Sequence, residues 1–469
     1  MPHERFRLKD RTALEKKVDA LGLDIPVSDD ISVLFSHVVV ARRVLPNRFA
    51  ILPMEGADGD DSGRPTELTL RRYKRYAEGG ASLVWFEATA VTPDGRSNPR
   101  QLWINPQSRD GFKRLVKETR LTAHRKFGHD HNIILILQLT HSGRNSKPQG
   151  RPAPVVAQHS PLLDARLGLP PEYPLITDAA LDALQEEYAA AAGLAHEAGF
   201  DGVDVKACHG YLVSELLASF TRPDSRYGAS FENRTRFLIE TTEKIKQQVR
   251  GIFVTGRLSL YDAVPFPHGF GVSQKDPDEP DLAEPLRLIK RLKEIDFPVL
   301  AVSLGVPAYQ SHFGRPSDKP LIGQKLPDEH PLVGVARWLR LTSAVQRAFP
   351  SLPVVGAGYS WLRHLFPYVA AAMVESERTS LIGLGRGSIA CPGWVNALAA
   401  DGVLDPRKVC VSCSKCSQML RAGCAVGCAV QDAEVYQSEY REARKKARQV
   451  RRTEKQTARS AGSRRKRKA

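Results

Sequence analysis

Short runs of apolar residues alternate along this chain with longer segments whose apolar residues recur at helical spacing. There are eight such runs between residues 47 and 403: RFAILPM (48–54), SLVWFEAT (82–89), IILILQL (133–139), GVDVKAC (202–208), FVTGRLS (253–259), VLAVSLG (299–305), PVVGAG (353–358) and SLIGLGR (380–386). Most are nearly continuous rather than alternating, which is typical of strands buried on both faces of a parallel sheet. The pattern therefore predicts eight buried parallel strands.

A helical pattern follows each predicted strand. Thr177 and Ser230 stand where N-caps belong, at the start of TDAALDALQEEYAAAAGLAHEAGF and SFENRTRFLIETTEKIKQQV. Eight strands alternating with eight helices predict an α/β fold of the (β/α)8 TIM barrel type, and a doubly wound open sheet is the alternative. We divide the chain into an N-terminal extension (1–46), the barrel (47–403), a cysteine-rich segment (404–432) and a basic tail (433–469).

The net charge of +16 changes this picture only near the C-terminus. Residues 441–469 contain 14 Lys and Arg against 2 Asp and Glu, so they carry +12 and the other 440 residues only about +4. Because this tail has almost no large apolar residue, we expect it to be disordered or a solvated helix. Weak binding of nucleic acid or of an acidic partner is the alternative role. The body of the protein does not have the charge of a nucleic-acid-binding protein.

Nothing in the sequence indicates export or a membrane span. Residues 1–26 are charged and lack the apolar core of a signal peptide, and no run of about 18 apolar residues occurs. We therefore expect a cytoplasmic protein, in which disulfide bonds are not favoured.

In a barrel, functional side chains follow the C-terminal ends of the strands. Those ends are polar here: PMEG (53–56), EATAVTPDGR (87–96), QLTHSGR (138–144), KACHGYL (206–212), GRLS (256–259), GAGYS (356–360) and GLGRGS (383–388). Gly358 and Gly385 would let backbone N–H groups approach a phosphate, and Arg386 could neutralise it. Glycines also occur where a chain simply turns, so this signal alone is weak.

Taken in order, these motifs resemble those of the Old Yellow Enzyme family of FMN oxidoreductases, in particular the branch of 2,4-dienoyl-CoA reductase and trimethylamine dehydrogenase. The likeness covers roughly residues 30–432. HGYL…RPDSRYGASFENRTRF (209–237) is its most specific part, and PM, EATAV…GR, QLxHxGR and GLGR stand at the matching strand ends. The resemblance implies a TIM barrel that binds FMN, with NAD(P)H as a candidate electron donor.

The same resemblance implies roles for individual residues. The cofactor-binding set is Pro53, Met54 and Ala88 beside the flavin ring, Gln138 at its pyrimidine edge, Arg257 near N1 and O2, and Gly358, Gly385 and Arg386 at the phosphate. Arg257 would stabilise the anionic reduced flavin. A salt bridge inside the barrel mouth is the structural alternative for this arginine.

Tyr211, His209 and Lys206 are the catalytic residues that the resemblance implies. Tyr211 would give a proton to the substrate carbon, for which a phenol with an ordinary pKa of about 10 is suited. A packing role is its alternative. His209 would hold a substrate carbonyl, but its usual histidine or asparagine partner is replaced by Lys206, and Glu55 replaces a small or thiol residue beside the flavin. Both departures affect the prediction of the substrate more than the prediction of the cofactor.

Five of the seven cysteines lie within residues 408–432. Cys410, Cys413, Cys416 and Cys428 form C-x2-C-x2-C-x11-C, and four thiolates suit zinc as well as an iron–sulfur cluster. Structural thiols without metal are a third reading. A nearly identical spacing in the two enzymes named above holds a [4Fe–4S] cluster, so the resemblance implies a cluster that passes single electrons to the flavin. Cys424 is an alternative fourth ligand.

These expectations leave three functional readings open. The first is an NAD(P)H:flavin oxidoreductase or ene-reductase-like enzyme acting on an activated alkene. The second is a dehydrogenase or demethylase for an amine or another donor, with the cluster as electron exit. The third is a zinc-stapled scaffold with a nucleic-acid-binding tail. Since no second GxGxxG unit follows the cysteines, we expect electrons from NAD(P)H, a separate reductase or a ferredoxin. A homo-oligomer is a family-based expectation.

Overall fold

Eight parallel strands close into a barrel in the computed structural model, which describes residues 2–322 and 324–466, with side chains up to residue 449. The barrel strands are β3 (Phe49–Ile51), β4 (Leu83–Ala90), β5 (Ile134–Thr140), β6 (Gly202–Val205), β7 (Phe253–Tyr261), β8 (Leu300–Leu304), β9 (Val354–Gly356) and β10 (Leu381–Leu384). Two strands before them, β1 (Val38–Val40) and β2 (Arg43–Leu45), form a separate sheet. Strands β3 to β10 pair in sequence order and β10 pairs with β3. The barrel prediction is confirmed, and each of its eight strands lies within or overlaps one of the eight apolar runs.

Helices surround the barrel and follow its strands. They are α1 (Arg11–Ala20), α2 (Glu67–Glu78), α3 (Arg109–Phe127), α4 (Pro161–Leu167), α5 (Asp178–Ala198), α6 (Leu212–Leu217), α7 (Phe231–Gln248), α8 (Ala283–Glu294), α9 (Ser311–Gly314), α10 (Pro331–Ala348), α11 (Phe366–Glu375), α12 (Arg386–Ala390), α13 (Trp394–Asp401), α14 (Lys415–Arg421) and α15 (Ala433–Lys466). Thr177 and Ser230 cap α5 and α7 by accepting backbone hydrogen bonds, as predicted. None of the helices in the described residues is long and apolar enough to cross a membrane.

The N-terminal extension contributes a short antiparallel hairpin, β1–β2, that crosses the N-terminal ends of the barrel strands. Arg43 of β2 donates to Asp201 (2.7 Å) and to the carbonyl of Ile133 (3.1 Å), which directly precede β6 and β5. Val40 and Leu45 are buried. The hairpin therefore covers the end of the barrel opposite the polar strand-end motifs.

The segment that sequence analysis treats as a tail begins as a packed helix. In the first turns of α15, Tyr436 and Ala443 are buried against Met419 and Cys424 of the cysteine segment. The basic tail from 441 onwards lies mostly outside the described side chains, which end at residue 449, and residues 467–469 are not described. Its predicted disorder and nucleic-acid binding stay predictions.

A buried arginine on α2 fixes the loop that follows β3. Arg72 forms ion pairs with Asp58 (2.6 Å) of that loop and with Glu87 (2.6 Å) of β4. The second oxygen of Glu87 accepts the backbone N–H of Gly56 (2.6 Å). Although burial alone would lower it, the two carboxylates raise the pKa of Arg72 above its ordinary value. The loop that carries Met54 and Glu55 is therefore held by a buried charge network.

We expect Arg72→Met to lower the free energy of unfolding by about 3–5 kcal/mol, because it leaves two carboxylates buried without their counter-charge. The matched control is Arg71→Met on the same helix, whose half-exposed side chain shares Asp432 with Arg75. That substitution should cost about 1 kcal/mol or less. Urea unfolding of both variants measures the difference, and equal losses would contradict a special role for Arg72.

Candidate functional site

One carboxylate, Asp204 of β6, organises the interior of the barrel near its C-terminal end. It accepts hydrogen bonds from Gln138 Nε2 (2.6 Å) and Trp85 Nε1 (2.8 Å) on one oxygen, and from the backbone N–H of Arg257 (2.8 Å) on the other. Burial raises the pKa of Asp204 to about 6. Two predicted flavin-binding residues are thus fixed by a group that sequence analysis missed.

Glu55 lies buried in the loop after β3, close to the predicted catalytic residues. Its carboxylate accepts hydrogen bonds from the Ser97 hydroxyl, from Asn98 Nδ2 (2.7 Å) and from the Tyr211 hydroxyl (3.4 Å). Burial raises the pKa of Glu55, while the hydrogen bonds and the charge of Lys206 oppose that shift. The residue that departs from the family pattern therefore touches the candidate proton donor.

Lys206 and Tyr211 form a cation–π pair at the end of β6. The Lys206 ammonium lies 3.2 Å from the centre of the Tyr211 ring, with Lys206 buried and Tyr211 partly exposed. Burial lowers the pKa of Lys206 to about 8. Burial, together with the Glu55 carboxylate, raises the pKa of Tyr211 well above its ordinary value. At neutral pH the phenol keeps its proton and the amine keeps its charge.

His209 follows Lys206 in a left-handed backbone conformation, with φ of 68°. Its Nε2 is hydrogen-bonded to the Ser303 hydroxyl (2.8 Å) on β8, and its Nδ1 lies 3.6 Å from the sulfur of Cys208. Burial and the nearby charges of Arg257 and Lys206 lower the pKa of His209 well below its ordinary value. The imidazole is therefore neutral, which suits hydrogen bonding to a carbonyl.

Arg257 is a buried cation whose guanidinium forms no ion pair with any described residue. Its Nε has no hydrogen-bond partner among them. Burial lowers its pKa, although the value starts so high that the charge is kept. The salt bridge considered as a structural alternative is therefore absent among the described residues. The charge is free for an anionic ligand.

The predicted phosphate residues lie where the chain turns after β9 and β10. Gly358 has φ of +95°, and a Cβ there would lie 2.6 Å from the Trp338 ring, so a side chain is excluded. A Cβ on Gly385 would lie 2.9 Å from the sulfur of Met54. Packing therefore accounts for both glycines, whatever they bind.

Two arginines converge on one hydroxyl beside these turns. Arg386 donates to Ser417 Oγ (3.4 Å), and its Nε is unpartnered. Arg315, which directly follows α9, donates to the same hydroxyl (2.7 Å). The buried Nη2 of Arg315 has no partner among the described residues. Sequence analysis did not single out Arg315, because no motif surrounds it.

Four cysteines share one cavity with these arginines. The lining includes Cys410, Cys413, Cys416, Cys428, Arg315 and Arg386. Backbone N–H groups point at two of the sulfurs, from Ser412 to Cys410 (3.5 Å) and from Gln431 to Cys428 (3.3 Å). In the described part of the chain, no three His, Cys, Asp or Glu side chains are close enough to hold a single metal ion.

Cys424 lies elsewhere. Its sulfur is 3.8 Å from the Ala422 carbonyl oxygen and 3.8 Å from the Lys446 ammonium on α15. It packs in the small apolar cluster with Met419 and Tyr436 rather than in the lining of the cavity. Among the two candidates for a fourth ligand, Cys428 therefore has the position that fits.

The remaining predicted residues, Pro53, Met54 and Ala88, lie on or just after the first two strands of the barrel. Pro53 and Met54 follow β3, with Pro53 buried. Ala88 lies in β4, and its carbonyl accepts a hydrogen bond from Gln101 Nε2 (2.9 Å). This contact fixes the strand where its register with β5 shifts, between Phe86 and Thr89.

Comparison with known proteins identifies the family. The NADH:flavin oxidoreductase / NADH oxidase family matches residues 33–270, about half of the chain. The chain belongs to this family. The family is one of flavin-dependent oxidoreductase enzymes, so the family resemblance drawn from the strand-end motifs is confirmed.

Curated relatives carry names of the same kind. An NADPH dehydrogenase of Clostridium acetobutylicum is 32% identical over 216 residues, which are 46% of this chain and 60% of that protein. An NADH oxidase of Thermoanaerobacter brockii is 25% identical over 402 residues, which are 84% of this chain and 55% of that protein. The chain thus matches between half and two thirds of the length of these relatives.

Solved structures share the fold. 2-Naphthoyl-CoA reductase in complex with 2-naphthoyl-CoA matches with a TM-score of 0.67 at 18% identity, over 88% of this chain and 58% of that one. Histamine dehydrogenase from Rhizobium sp. 4-9 matches with 0.62 at 22%, over 85% and 52%. The old yellow enzyme homologue of Zymomonas mobilis matches with 0.56 at 21%, over 79% and 94%. At these identities the likeness establishes the barrel, and the roles of single side chains stay predictions.

We expect Asp204→Asn to weaken FMN binding roughly tenfold, because an asparagine cannot accept all three hydrogen bonds and Gln138 loses its anchor. The matched control is Asp201→Asn just before the same strand, where Asp201 pairs with Arg43 and Arg120. That variant should lose stability but bind flavin as the parent does. Titration of flavin fluorescence measures both, and equal losses of affinity would contradict the role assigned to Asp204.

Proposed function

We propose that this protein is an FMN-dependent oxidoreductase that takes hydride from NAD(P)H and delivers it to an activated alkene or a related acceptor. We further propose that Cys410, Cys413, Cys416 and Cys428 hold a [4Fe–4S] cluster. The observation that carries the proposal is the buried, unpaired guanidinium of Arg257 beside the cluster of Lys206, His209 and Tyr211.

The described residues fit a flavin with a phosphate tail. An unpaired cation at Arg257 matches the negative charge that a reduced flavin carries near N1 and O2. Arg386 and Arg315 supply two further cations near the glycine turns, and neither has a carboxylate partner among the described residues. Buried charges are normally paired, so unpaired cations at these places support anionic ligands there.

The cofactor would supply hydride chemistry, and the chain's own residues would handle the acceptor and the proton. Tyr211 would donate the proton, since its raised pKa keeps the hydroxyl protonated at neutral pH. The neutral imidazole of His209 and the cationic amine of Lys206 would orient and polarise the acceptor carbonyl. Asp204 would keep Gln138 and the backbone of Arg257 fixed.

Four cysteines can hold either an iron–sulfur cluster or one zinc ion, and we propose the cluster. A zinc ion draws four sulfurs to about 2.3 Å from a single point, whereas a four-iron cluster holds its cysteines farther apart. The four cysteines line one cavity, and their spacing is the one that the family resemblance associates with a cluster. Backbone N–H groups directed at two sulfurs also favour thiolate ligands.

Glu55 supports a second candidate, a dehydrogenase for an amine or a related donor with the cluster as electron exit. Its buried carboxylate contacts Tyr211 and could accept a hydrogen bond from a substrate ammonium. On this reading Lys206 is less well suited, because its charge would repel an ammonium ion. We therefore rank it second.

The proposal predicts about one FMN and about four irons per chain in protein purified without oxygen. NADH or NADPH should bleach the flavin, and an α,β-unsaturated carbonyl compound should restore its colour. Reduction by candidate amines instead would favour the second function. If only a separate reductase or ferredoxin reduces the flavin, NAD(P)H is not the donor. Zinc without flavin would contradict the oxidoreductase and favour a stapled scaffold.

Cysteine variants test the cluster within that experiment. Cys428→Ser should lose most of the iron, because it removes a sulfur from the cavity. Cys424→Ser is the matched control and should keep its iron, since its sulfur faces Ala422 and Lys446. The reverse result would overturn the assignment of the fourth ligand.

The pH dependence of acceptor reduction should report on Lys206. Its pKa of about 8 means that the amine is charged below pH 8 and loses that charge above it. We expect kcat/KM for the acceptor to be flat below pH 8 and to fall up to about tenfold per pH unit above it. Lys206→Met should have a low kcat/KM that no longer falls above pH 8, and Lys206→Arg should keep its kcat/KM to higher pH. If kcat/KM of Lys206→Met still falls above pH 8, the fall must be due to another titrating group.

A further inference from the structure

Arg315, like Arg257, lacks the acidic partners that other buried arginines near the mouth of the barrel have among the described residues. Arg144 pairs with Asp164 and Glu215, and Arg222 pairs with Asp178. Arg315 is only 8% exposed, yet among the described residues it has no acidic partner, and its Nη2 has no partner at all. Leaving a buried guanidinium unpaired is costly, so this position calls for an anion.

The placement of Arg315 is fixed by contacts on both sides. The Ser414 hydroxyl donates to the carbonyl of Lys319 (2.5 Å), which ties the cysteine segment to the loop that carries Arg315. Asp318 accepts the indole N–H of Trp361 (2.8 Å) and the backbone N–H of Phe6 (3.1 Å). These hydrogen bonds anchor the loop, so the buried position of the Arg315 guanidinium is part of the packed structure.

Two kinds of anion can reach this guanidinium. On one side it shares the Ser417 hydroxyl with Arg386, the residue predicted to bind the flavin phosphate. On the other side it lines the cavity of Cys410, Cys413, Cys416 and Cys428. Four thiolates around a cluster and a phosphate monoester are both negatively charged at neutral pH.

We propose that Arg315 is a second phosphate-binding residue for the flavin and a counter-charge shared with the cysteine centre. Together with Arg386 it forms a pair of guanidiniums that offers fork-like donors to a phosphate. Its neighbouring cavity makes the same charge favour an added electron on the cysteine-bound centre. The inference rests on the proposed function, because it requires both flavin and cluster.

The test compares FMN with riboflavin, which lacks the phosphate. Full-length protein that has been freed of flavin but keeps its iron is titrated with each. We expect the parent to prefer FMN strongly, and Arg315→Met to reduce that preference about tenfold or more without weakening riboflavin binding. Arg315→Lys should be intermediate, since it keeps the charge but not the planar fork. An unchanged preference in Arg315→Met would overturn the phosphate role.

The matched control is Arg421→Met, which removes one positive charge from α14, the helix that carries Ser417. The side chain of Arg421 is exposed, and among the described residues it donates to the carbonyl of Pro307 (3.1 Å). Its FMN preference should equal that of the parent. A parent protein that binds neither FMN nor riboflavin would defeat the proposed function itself, which distinguishes that failure from failure of the Arg315 assignment.

The second readout is the midpoint potential of the cysteine-bound centre, followed by paramagnetic resonance during a redox titration. Removing a nearby positive charge disfavours the added electron, so Arg315→Met should show a more negative potential than the parent and Arg421→Met. A reduced FMN preference with an unchanged potential would overturn the shared role and leave Arg315 to the phosphate alone.

Discussion

The buried ion pairs of Arg72 with Asp58 and Glu87 are the constraint on which the candidate site depends. They lock α2 to the loop after β3, where Met54 and Glu55 are carried, and Glu87 also holds the N–H of Gly56. The carbonyl of Gly56 in turn accepts the N–H of Val426 in the cysteine segment (2.7 Å). One guanidinium therefore positions the loop of Met54 and Glu55 and, through one further hydrogen bond, the cysteine segment.

Helix α2 also contacts the cysteine segment directly, through ion pairs on its outer face. Arg71 and Arg75 of α2 both pair with Asp432, four residues after Cys428. These outer pairs are half-exposed and individually weak, whereas the inner Arg72 network is dry. Because both layers start from α2, a shift of this helix would move the loop of Glu55 and the cysteines together. This arrangement gives a physical reason why the loop of Glu55 and the cysteine segment, which are far apart in sequence, can keep a fixed relation.

Sequence reasoning predicted the barrel because its evidence is local. Each strand is a short apolar run, and the polar motifs stand at the strand ends, where the next turn begins. Sequence analysis missed Asp204 because it is flanked by apolar residues within the run GVDVKAC, and its three partners come from other strands. Arg315 escaped because it lies in a loop without a motif, and its hydroxyl partner is 102 residues away.

The cysteines also show that a local sequence pattern cannot reveal tertiary contacts. The spacing C-x2-C-x2-C-x11-C identified four candidates, but spacing alone could not choose between Cys424 and Cys428, which are only four residues apart. Tertiary packing separates them, because α15 covers Cys424 with Tyr436 and Lys446 while Cys428 turns to the cavity. The α15 packing was itself hidden by the strong charge of the segment, which reads as a solvated tail.

The departures at positions 55 and 206 are best understood as a pair. A lysine buried beside Arg257 and a neutral His209 would add a second uncompensated cation to the site, and its pKa is lowered by burial and, to a smaller extent, by the charge of Arg257. The Glu55 carboxylate opposes this, since its charge favours the protonated lysine while the Lys206 charge lowers the pKa of Glu55. Tyr211 lies between them, with its ring against Lys206 and its hydroxyl on Glu55. Either substitution alone would bury an unpaired charge next to Tyr211, the proposed proton donor, whereas the two together keep that part of the site close to neutral and leave the positive charge of Arg257 for the proposed flavin.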